Sequence, residues 1–480
     1  MTDARARPAH DASGVTVAFV RDMLALDFGR VPAQTVAKAE LCLLDFFSCA
    51  FAARRSEAVE AMLRVAGAWP ASGGVPVIAT QLRLPPADAA YVNSMMAAAA
   101  ARTDMHPAIT AHCAPVVFPV ALAIAASRPV RGAEFIAAVV AGYEAMARVG
   151  RVMVDDRFRR HFRATAVLGS IGGAVTAARL LRLTLDQAVA ALALSVNTAS
   201  GLMEFGYTGE IDLFFQPANA ARNAITAALL AQQGVRASQT ILEGDAGLLA
   251  GFGGQARARE IVDAPRSGFE IDLVDFKRVP ACVFVQAAVH AAEAIVLRAP
   301  VSPADVDAVT LRTFDAAIRY PGCDDPGPIE TLPAARMSLQ YAVASVLARG
   351  ELADANFTDI DNAALRALVP KVRVEQDAGF DAAYPQRQGA LVSVRLKGGA
   401  ALEGRVDEVP SFAHEGIVAR YRNVAARHLG AASVAALERA CLGCATLPDM
   451  GTLTALMGST PAPRNERAPE PLLTQTRRAP

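Results

Sequence analysis

A short polar stretch between two strongly apolar segments carries the first candidates for chemistry. Arg102, Asp104, His106 and His112 lie within it, and its two histidines are among seven in the chain. Because the flanking segments are apolar, we expect the ends of this stretch to be buried. A partly buried imidazole near a carboxylate can have a pKa near neutrality, which suits proton transfer. The alternative is that these side chains only cap and hydrogen-bond the helix ends.

Two further cationic groups lie where a substrate anion could bind. Arg163 belongs to a basic run, residues 157–165, that precedes an apolar helix. Helix N-termini favour anions, and arginine pairs with carboxylates. Lys277 lies between Phe276 and Val279, and burial there would lower its pKa and suit it to acid–base chemistry. A solvated charge run and an exposed lysine are the alternative interpretations.

Helices must position most of these groups. Apolar residues recur at helical spacing from residue 15 to about residue 254, and again from 412 to about 457. Thr184 and Gln187 predict a capping box, in which each side chain satisfies a backbone group at the start of a helix.

The pattern changes between the two helical regions. Residues 306–313, 372–376 and 391–396 alternate apolar and polar side chains, as strands do. A Lys-Gly-Gly-Ala turn predicts a hairpin over residues 390–408. Helical patterns separate these strands, one of them over residues 334–347.

We therefore predict a mainly α protein with two domains. Residues 15–266 and 411–458 would form a large all-helical domain, into which a smaller α+β domain, residues 267–410, is inserted. Residues 1–14 would be a flexible N-terminus, and the Pro- and Arg-rich residues 459–480 a disordered tail.

The composition of the 480 residues argues against several classes of function. Lys plus Arg and Asp plus Glu both total 47, whereas a nucleic-acid-binding domain usually has a basic excess. No charge-free apolar run reaches the roughly 18 residues of a membrane span. The hydrophobic share of 53% therefore predicts a large core or an interface between subunits.

Cysteine usage and the N-terminal sequence predict a cytoplasmic protein without a metal site. The seven cysteines are scattered, and residues 1–14 lack the apolar segment of a secretory signal. Cys441 and Cys444 have the spacing of half a zinc site without a second pair, so we interpret them as small apolar residues near a helix end. Gly169–Gly173 opens a helix without a preceding strand, which argues against a nucleotide site.

Over residues 15–455 the chain carries a set of motifs in a specific order and spacing. They are residues 104–119, 142–150, 165–187, 199–205, 220–223, 241–244, 276–282 and 337–341. In this respect it resembles the MmgE/PrpD family of 2-methylcitrate dehydratases and cis-aconitate decarboxylases. The resemblance implies a helical domain plus a smaller α+β domain, a homodimer, no cofactor and an active site between the domains. It also implies proton abstraction next to a carboxylate, followed by loss of water or CO2.

The resemblance is partial at the expected site. Asp104, His112 and Lys277 match family positions. Arg163 stands where the family usually has a histidine, with His161 two residues earlier. The run Leu-Phe-Phe-Gln-Pro, which contains Phe214 and Gln216, replaces Lys-Arg-Leu-His-Pro, and Gln286 replaces a later histidine. Because unpaired buried carboxylates are costly, we expect a less anionic and more apolar substrate than 2-methylcitrate or cis-aconitate.

These residues lead to two hypotheses. The first is a lyase, isomerase or cyclase of the same family that acts on a small molecule of a secondary pathway. In it Lys277 or His112 removes a proton next to a carbonyl or carboxylate, and Asp104 orients His112 or His106. The second is a non-catalytic relative that serves as a ligand-binding or interaction scaffold; the lost cations favour it, and the retained groups oppose it.

The remaining candidates would contact the substrate. Arg163 and Arg102 would stabilise the developing enolate oxygen, and Tyr320 would donate a proton to the leaving group. The full set of predicted substrate-binding residues is Arg102, Arg163, Phe214, Gln216, Gln286 and Tyr320.

Overall fold

Apolar residues at helical spacing fold into helices over most of the chain. The computed structural model describes residues 14–69, 73–265 and 267–458. The predicted disordered tail, residues 459–480, and residues 1–13 of the predicted flexible N-terminus lie outside the described residues. Within the described residues, the predicted mainly α fold class is confirmed.

The first half of the chain is a succession of helices. They are α1 (Val15–Ala25), α2 (Ala33–Ala53), α3 (Glu57–Gly67), α4 (Pro86–Ala99), α5 (Ala114–Ala125), α6 (Gly132–Met153), α7 (Asp156–His161), α8 (Ala164–Leu180), α9 (Leu185–Val196), α10 (Glu204–Thr208), α11 (Phe215–Gln232), α12 (Leu248–Phe252) and α13 (Glu260–Asp263). Helix α8 packs against α5, α6, α9 and α11, which places it near the centre of the assembly.

Capping residues and prolines set where these helices begin. Thr184 and Gln187 make the predicted capping box at the start of α9. Pro86 opens α4, where its missing N–H would have had no helical partner in any case. This region also contains a two-residue antiparallel ladder, β1 (Val75–Pro76) with β2 (Arg83–Leu84). The prediction that the region is entirely helical is therefore wrong at this ladder.

A mixed sheet with helices follows. The elements are α14 (Gln286–Val296), β3 (Val306–Thr313), α15 (Asp315–Ile318), α16 (Leu332–Met337), α17 (Leu339–Arg349), α18 (Ala363–Leu368), β4 (Val372–Gln376), α19 (Ala378–Ala383), β5 (Ala390–Leu396) and β6 (Ala401–Val406). The strand order is β4-β3-β5-β6, with β3 and β4 parallel and the other pairs antiparallel. The predicted strands and hairpin are confirmed.

The single helix expected over residues 334–347 is instead two helices, α16 and α17. Ser338 adopts an extended conformation between them, and its side chain accepts a hydrogen bond from the N–H of Tyr341. A serine that caps a new helix start competes with continuation of the preceding helix. The interruption matters because it fixes the end of α16, which carries Arg336.

The chain ends in α20 (His414–Ala425), α21 (Ala431–Leu442) and α22 (Gly451–Leu456), which return to the first group of helices. One hydrophobic core joins residues between 15 and 276 with residues between 417 and 457; we call this part the large lobe. A second core contains residues between 279 and 394; we call this part the small lobe. The domain boundaries expected from the sequence stay a prediction.

A buried ion pair fastens the C-terminal helices to the large lobe. Arg420 of α20 pairs with Asp45 of α2, and both side chains are almost completely buried. The same guanidinium donates a hydrogen bond of 2.7 Å to the carbonyl oxygen of Lys277. Arg420 therefore connects α2 and α20 to the segment that enters the small lobe.

We expect Arg420→Leu to lower the free energy of unfolding by about 3–5 kcal/mol, because it leaves the buried Asp45 carboxylate without its partner. Chemical denaturation would measure the loss. Arg422→Leu, on the same helix, is the matched control, since Arg422 is 62% exposed in its pair with Glu438. That change should cost less than about 1 kcal/mol. Equal losses in the two variants would contradict the assignment.

Candidate active site

A small cavity lies between the two lobes. Its volume is about 70 Å³, on a scale where one water needs roughly 10–15 Å³. The large lobe contributes His112 and Arg163 to its wall, the small lobe contributes Tyr320 and Arg336, and Lys277 lies at the junction. The structure therefore leaves room for a small group where the sequence places the candidate chemistry.

Backbone pairing brings His112 and Lys277 to the same cavity. Met105 and Asp275 exchange two backbone hydrogen bonds, of 2.9 Å and 2.8 Å. This isolated bridge joins the polar loop after α4 to the segment that carries Lys277. This bridge thus brings His112 and Lys277, which are far apart in the sequence, to one cavity.

The ring of His112 is held in one tautomer. Its Nδ1 lies 2.7 Å from the carbonyl oxygen of Asp104 and 3.1 Å from that of Thr103. Carbonyl oxygens only accept, so Nδ1 carries the hydrogen and Nε2 carries the lone pair. The backbone N–H of His112 also donates to Thr165 Oγ1, at 2.9 Å. Burial, with Lys277 and Arg163 nearby, lowers the pKa of His112 well below its usual value, so the ring is a neutral base.

The C-terminal end of α4 holds two of the cations. Lys277 Nζ donates to the carbonyl oxygen of Ala101 at 3.2 Å, and Arg336 donates to that of Ala99 at 3.3 Å. These carbonyls lie at or just beyond the last turn, where partial negative charge favours cations. Burial lowers the pKa of Lys277 to about 8 and that of Arg336 to about 10.

Arg163 is the third cation at the cavity. Its guanidinium donates to the carbonyl oxygen of Leu213 and lies over the ring of Phe205, 5.6 Å from the centroid. Burial lowers its pKa to about 10. In the described part of the chain, no carboxylate forms an ion pair with Arg163, Lys277 or Arg336. The cavity is therefore lined by three cations and by no carboxylate.

Sequence reasoning missed Arg336 and Cys282. Arg336 directly precedes the 337–341 motif, and Cys282 lies within the 276–282 motif, so both were within reach of the resemblance. Cys282 Sγ lies 3.9 Å from Cys323 Sγ. A hydrogen bond from Cys323 and the nearby Lys277 lower the pKa of the Cys282 thiol.

An aromatic and aliphatic wall encloses the charged groups. Phe214 and Phe205 line the cavity together with Leu213, whereas Phe215 packs against the large-lobe core instead. Tyr320 also lines the cavity, and burial raises its pKa further above neutrality. Its hydroxyl can therefore donate a hydrogen bond but is a weak acid.

Asp104 occupies a different position from the one expected. Its carboxyl group accepts hydrogen bonds from Tyr143 Oη at 2.7 Å and from the N–H of Ala114 at 3.0 Å, and it does not contact the ring of His112. The backbone carbonyl of Asp104, not its carboxylate, orients His112. Burial raises the pKa of Asp104 to about 7, although the bond from Tyr143 opposes the rise.

Four other predicted residues lie outside the cavity. His106 Nε2 is 2.8 Å from Glu270, and Arg102 pairs with Asp354 at 2.7 Å. The amide of Gln216 donates to the carbonyl oxygen of Leu202, and Gln286 lines a second, adjoining pocket. The structure thus brings together His112, Lys277, Arg163, Tyr320 and Phe214, and it leaves Arg102, His106, Gln216 and the Asp104 carboxyl elsewhere.

The described residues contain neither a metal-binding cluster nor a helix that could cross a membrane. Within residues 14–69, 73–265 and 267–458, no group of three His, Cys, Asp or Glu side chains is arranged to hold a metal ion. No helix in the same residues has the length and hydrophobicity to cross a membrane. Cys441 and Cys444 are both buried, free thiols next to the end of α21.

Comparison with known protein families shows to which family the chain belongs. Residues 19–260 match the MmgE/PrpD N-terminal domain, and residues 279–442 match the MmgE/PrpD C-terminal domain. The chain belongs to the MmgE/PrpD family. Lys277 lies in the interval between the two matched regions, so the family's domain division coincides with the junction that the cavity occupies.

Curated relatives within the family are cis-aconitate decarboxylases. The chain is 25% identical to the enzyme of Aspergillus terreus over 472 residues, which is 93% of this chain and 96% of the relative. It is 25% identical to the Homo sapiens enzyme over 468 residues, 92% of this chain and 94% of the relative. The cis-aconitate decarboxylase-like protein oryM of Aspergillus oryzae is 31% identical over 212 residues, 42% of this chain and 44% of that protein.

We expect Asp104→Asn to change how stability depends on pH. Because folding raises the pKa of Asp104 from roughly 4 in an unfolded chain to about 7, its ionisation destabilises the native chain progressively as pH rises between these values. The asparagine can still accept from the N–H of Ala114 through Oδ1, and its Nδ2 can donate to Tyr143 Oη, but it does not titrate. Between pH 5 and pH 8 the variant should therefore gain roughly 2–3 kcal/mol relative to the unchanged protein. Urea denaturation at both pH values measures this; parallel pH profiles would refute it.

Proposed function

We propose that this protein is a cofactor-independent lyase that either removes a proton next to a carboxylate or carbonyl and then expels water, or expels CO2 and then protonates the resulting carbanion. The observation that supports it most is the buried juxtaposition of a neutral His112 with three cations that lack carboxylate partners among the described residues. A neutral base next to uncompensated positive charge is suited to forming an enolate. The relatives' activity as cis-aconitate decarboxylases is consistent with this class of reaction.

His112 is the proposed base. The carbonyls of Asp104 and Thr103 keep the hydrogen on Nδ1, so the lone pair of Nε2 takes the proton from the substrate carbon. The same carbonyls then stabilise the imidazolium, because they accept a stronger hydrogen bond from the charged ring.

The cations stabilise the negative charge that the proton leaves behind. Arg163 and Arg336 hold the carboxylate or carbonyl oxygen on which the electron pair accumulates. In a dehydration the pair returns to form the double bond, and the β-hydroxyl leaves as water after taking a proton from the Lys277 ammonium. In a decarboxylation CO2 leaves first, and the resulting carbanion takes its proton from Lys277. Its pKa of about 8 suits an acid that is mostly protonated near neutrality.

The wall of the cavity favours a substrate with less charge and more apolar surface than 2-methylcitrate or cis-aconitate. Phe205, Phe214 and Leu213 occupy one side, and the volume near the base is about 70 Å³. Further carboxylates against this side would lie unpaired at a cost of several kcal/mol each. The homodimer, the cytoplasmic location and the secondary pathway stay predictions.

Solvent exchange is the direct test of proton abstraction. The purified protein in deuterated water, with a panel of β-hydroxy and β-carboxy acids that includes cis-aconitate, should incorporate deuterium next to the carboxylate of an accepted acid. We expect His112→Gln to reduce this exchange at least 100-fold, since general-base catalysis contributes about 10²–10⁴. His161→Gln, which alters an exposed histidine outside the cavity, is the matched control. Absence of exchange across the panel would favour a ligand-binding scaffold.

The pH profile tests the assignment of base and acid. His112 must be neutral, so kcat/KM should increase as pH passes the lowered pKa of His112, below its usual value. Lys277 must be protonated, so kcat/KM should fall as pH rises past about 8. Steady-state rates between pH 5 and pH 10 give the profile. A rate that continued to increase above pH 9 would instead assign the neutral lysine as the base.

A further inference from the structure

Two cysteines lie in contact at the wall of the cavity. Cys282 lines the cavity together with Lys277, whereas Cys323 is fully buried directly behind it. Their sulfur atoms are 3.9 Å apart, and the thiol of Cys323 donates a hydrogen bond to Cys282. A disulfide bond is about 2 Å long, so the sulfur atoms need to approach each other by only about 2 Å to form one.

Main-chain hydrogen bonds hold both cysteines to the ends of two consecutive helices. The N–H of Cys282 donates to the carbonyl oxygen of Arg336, in the last turn of α16, at 2.8 Å. The carbonyl oxygen of Cys323 accepts from the N–H of Leu339, at the start of α17, also at 2.8 Å. Both main chains are thus fixed to one short segment, residues 336–339, which keeps the two thiols together.

The two thiols differ in the way that a reactive pair requires. The hydrogen bond from Cys323 and the nearby Lys277 lower the pKa of Cys282, although burial opposes them. Burial and the neighbouring Cys282 raise the pKa of Cys323 well above its usual value. The thiolate is the nucleophilic form, and reactive cysteines typically lie partly exposed near a cation, with a second thiol beside them. Cys282 is therefore suited to attack an oxidant, and Cys323 to displace the oxygen that is left on it.

The other cysteines of the chain lack this combination. In the described part of the chain none of them lines the cavity. Burial raises the pKa of each thiol well above its usual value; they are Cys42, Cys49, Cys113, Cys441 and Cys444. Cys441 and Cys444, three residues apart at the end of α21, therefore provide a comparison pair within the same molecule.

We propose that Cys282 and Cys323 form a peroxide-reactive dithiol, which a small hydroperoxide in the cavity converts to a disulfide and which a thiol reductant restores. The cavity volume of about 70 Å³ admits hydrogen peroxide, because one water needs roughly 10–15 Å³ and hydrogen peroxide is larger by a single oxygen atom. The modification site shares the cavity with the acid–base groups, but its oxidation requires no lyase activity.

The oxidation takes place in two steps. The Cys282 thiolate attacks one oxygen of hydrogen peroxide, the O–O bond breaks, and the departing hydroxide takes a proton from the Lys277 ammonium to become water. This leaves Cys282 as a sulfenic acid. The Cys323 sulfur then attacks the sulfenic sulfur, the S–O bond breaks, and the hydroxide leaves as water with the thiol proton of Cys323. In sum, two thiols are oxidised to one disulfide, and one peroxide is reduced to two waters.

The disulfide also acts on Lys277, a consequence that rests on the proposed function. The titratable and charged groups around this amine are Cys282, Arg163, Cys49 and Asp104, with His112, Tyr320 and Arg336 in the same cavity. Burial and Arg163 lower the pKa of Lys277 to about 8, whereas Cys282 raises it. Because a disulfide sulfur carries no charge, oxidation should lower this pKa further and leave less ammonium near neutrality. Proton donation from Lys277 should therefore weaken in the oxidised protein.

Mass spectrometry of the full-length protein tests the site without turnover. A small molar excess of hydrogen peroxide should lower the mass by two hydrogen atoms and should remove two of the seven thiols. Dithiothreitol should restore both. Peptide mapping, with free thiols blocked in denaturant, should place the bond between Cys282 and Cys323. A disulfide between Cys441 and Cys444 instead, or seven intact thiols after the treatment, would overturn the proposal.

Cys323→Ala separates the attack from the second step. Without a thiol to displace the oxygen, Cys282 should proceed to the sulfinic acid, which adds two oxygen atoms to the mass and is not reversed by dithiothreitol. Cys444→Ala is the matched control: it removes another buried thiol, and the Cys282–Cys323 disulfide should form as before. The same reversible loss of two hydrogen atoms in Cys323→Ala would refute the pair.

Cys282→Ala provides a second variant that tests the order of the steps. Cys323 is buried and has a raised pKa, so it should remain a free thiol under the same treatment. Oxidation of Cys323 at an undiminished rate in this variant would contradict the assignment of Cys282 as the attacking thiol.

The dithiol and the lyase proposal fail separately. If the disulfide forms but no acid exchanges deuterium, the modification site stands and the lyase proposal fails. If exchange occurs and peroxide leaves all thiols intact, the lyase proposal stands and the dithiol is refuted. If both occur, the falling limb of kcat/KM should move to lower pH in the oxidised protein and return with dithiothreitol. A limb that does not move would refute the effect on Lys277.

Discussion

Buried positive charge that no carboxylate of the described residues contacts is the constraint on which the site depends. Arg163, Lys277 and Arg336 are all desolvated at one small cavity, and in the described residues their hydrogen bonds go to main-chain carbonyl oxygens. Such bonds satisfy donors but do not neutralise charge, so each group has a lowered pKa and the nearby imidazole stays neutral. The same imbalance that costs folding free energy prepares the cavity for an anion, because a ligand's carboxylate supplies the missing charge.

The end of helix α4 supplies the carbonyl oxygens that bind two of these cations. The carbonyls of Ala99 and Ala101 are available because α4 ends there, and a helix end has acceptors that the helix itself cannot use. Ala101 adopts a left-handed conformation at φ 55°, just beyond this end. The C-terminal end of α4 therefore binds both Lys277, at the junction, and Arg336, from the small lobe.

The sequence predicts the periodic parts of this fold and fewer of its contacts. Repeating patterns predict the helices, the strand over residues 306–313 and the hairpin, because burial of one face imposes a period. The position of His112 next to Lys277 depends on a backbone bridge between Met105 and Asp275, which has no side-chain signature. For the same reason the sequence could suggest that Asp104 orients the histidine, but not that its main-chain carbonyl does so while its carboxylate contacts Tyr143. Arg336 was overlooked because a single arginine has no period.

The hydrogen bond from Arg420 to the carbonyl of Lys277 has a consequence for biosynthesis. Translation is vectorial, and α20 to α22 emerge from the ribosome after both the cavity's walls and the whole small lobe. Until then the large-lobe core lacks its residues between 417 and 457, and the lysine's main chain lacks its anchor. The lysine's main-chain anchor can thus form only after α20 has been synthesised, and a product truncated before α20 would contain His112, Lys277 and both cavity arginines but not the helix that secures the lysine.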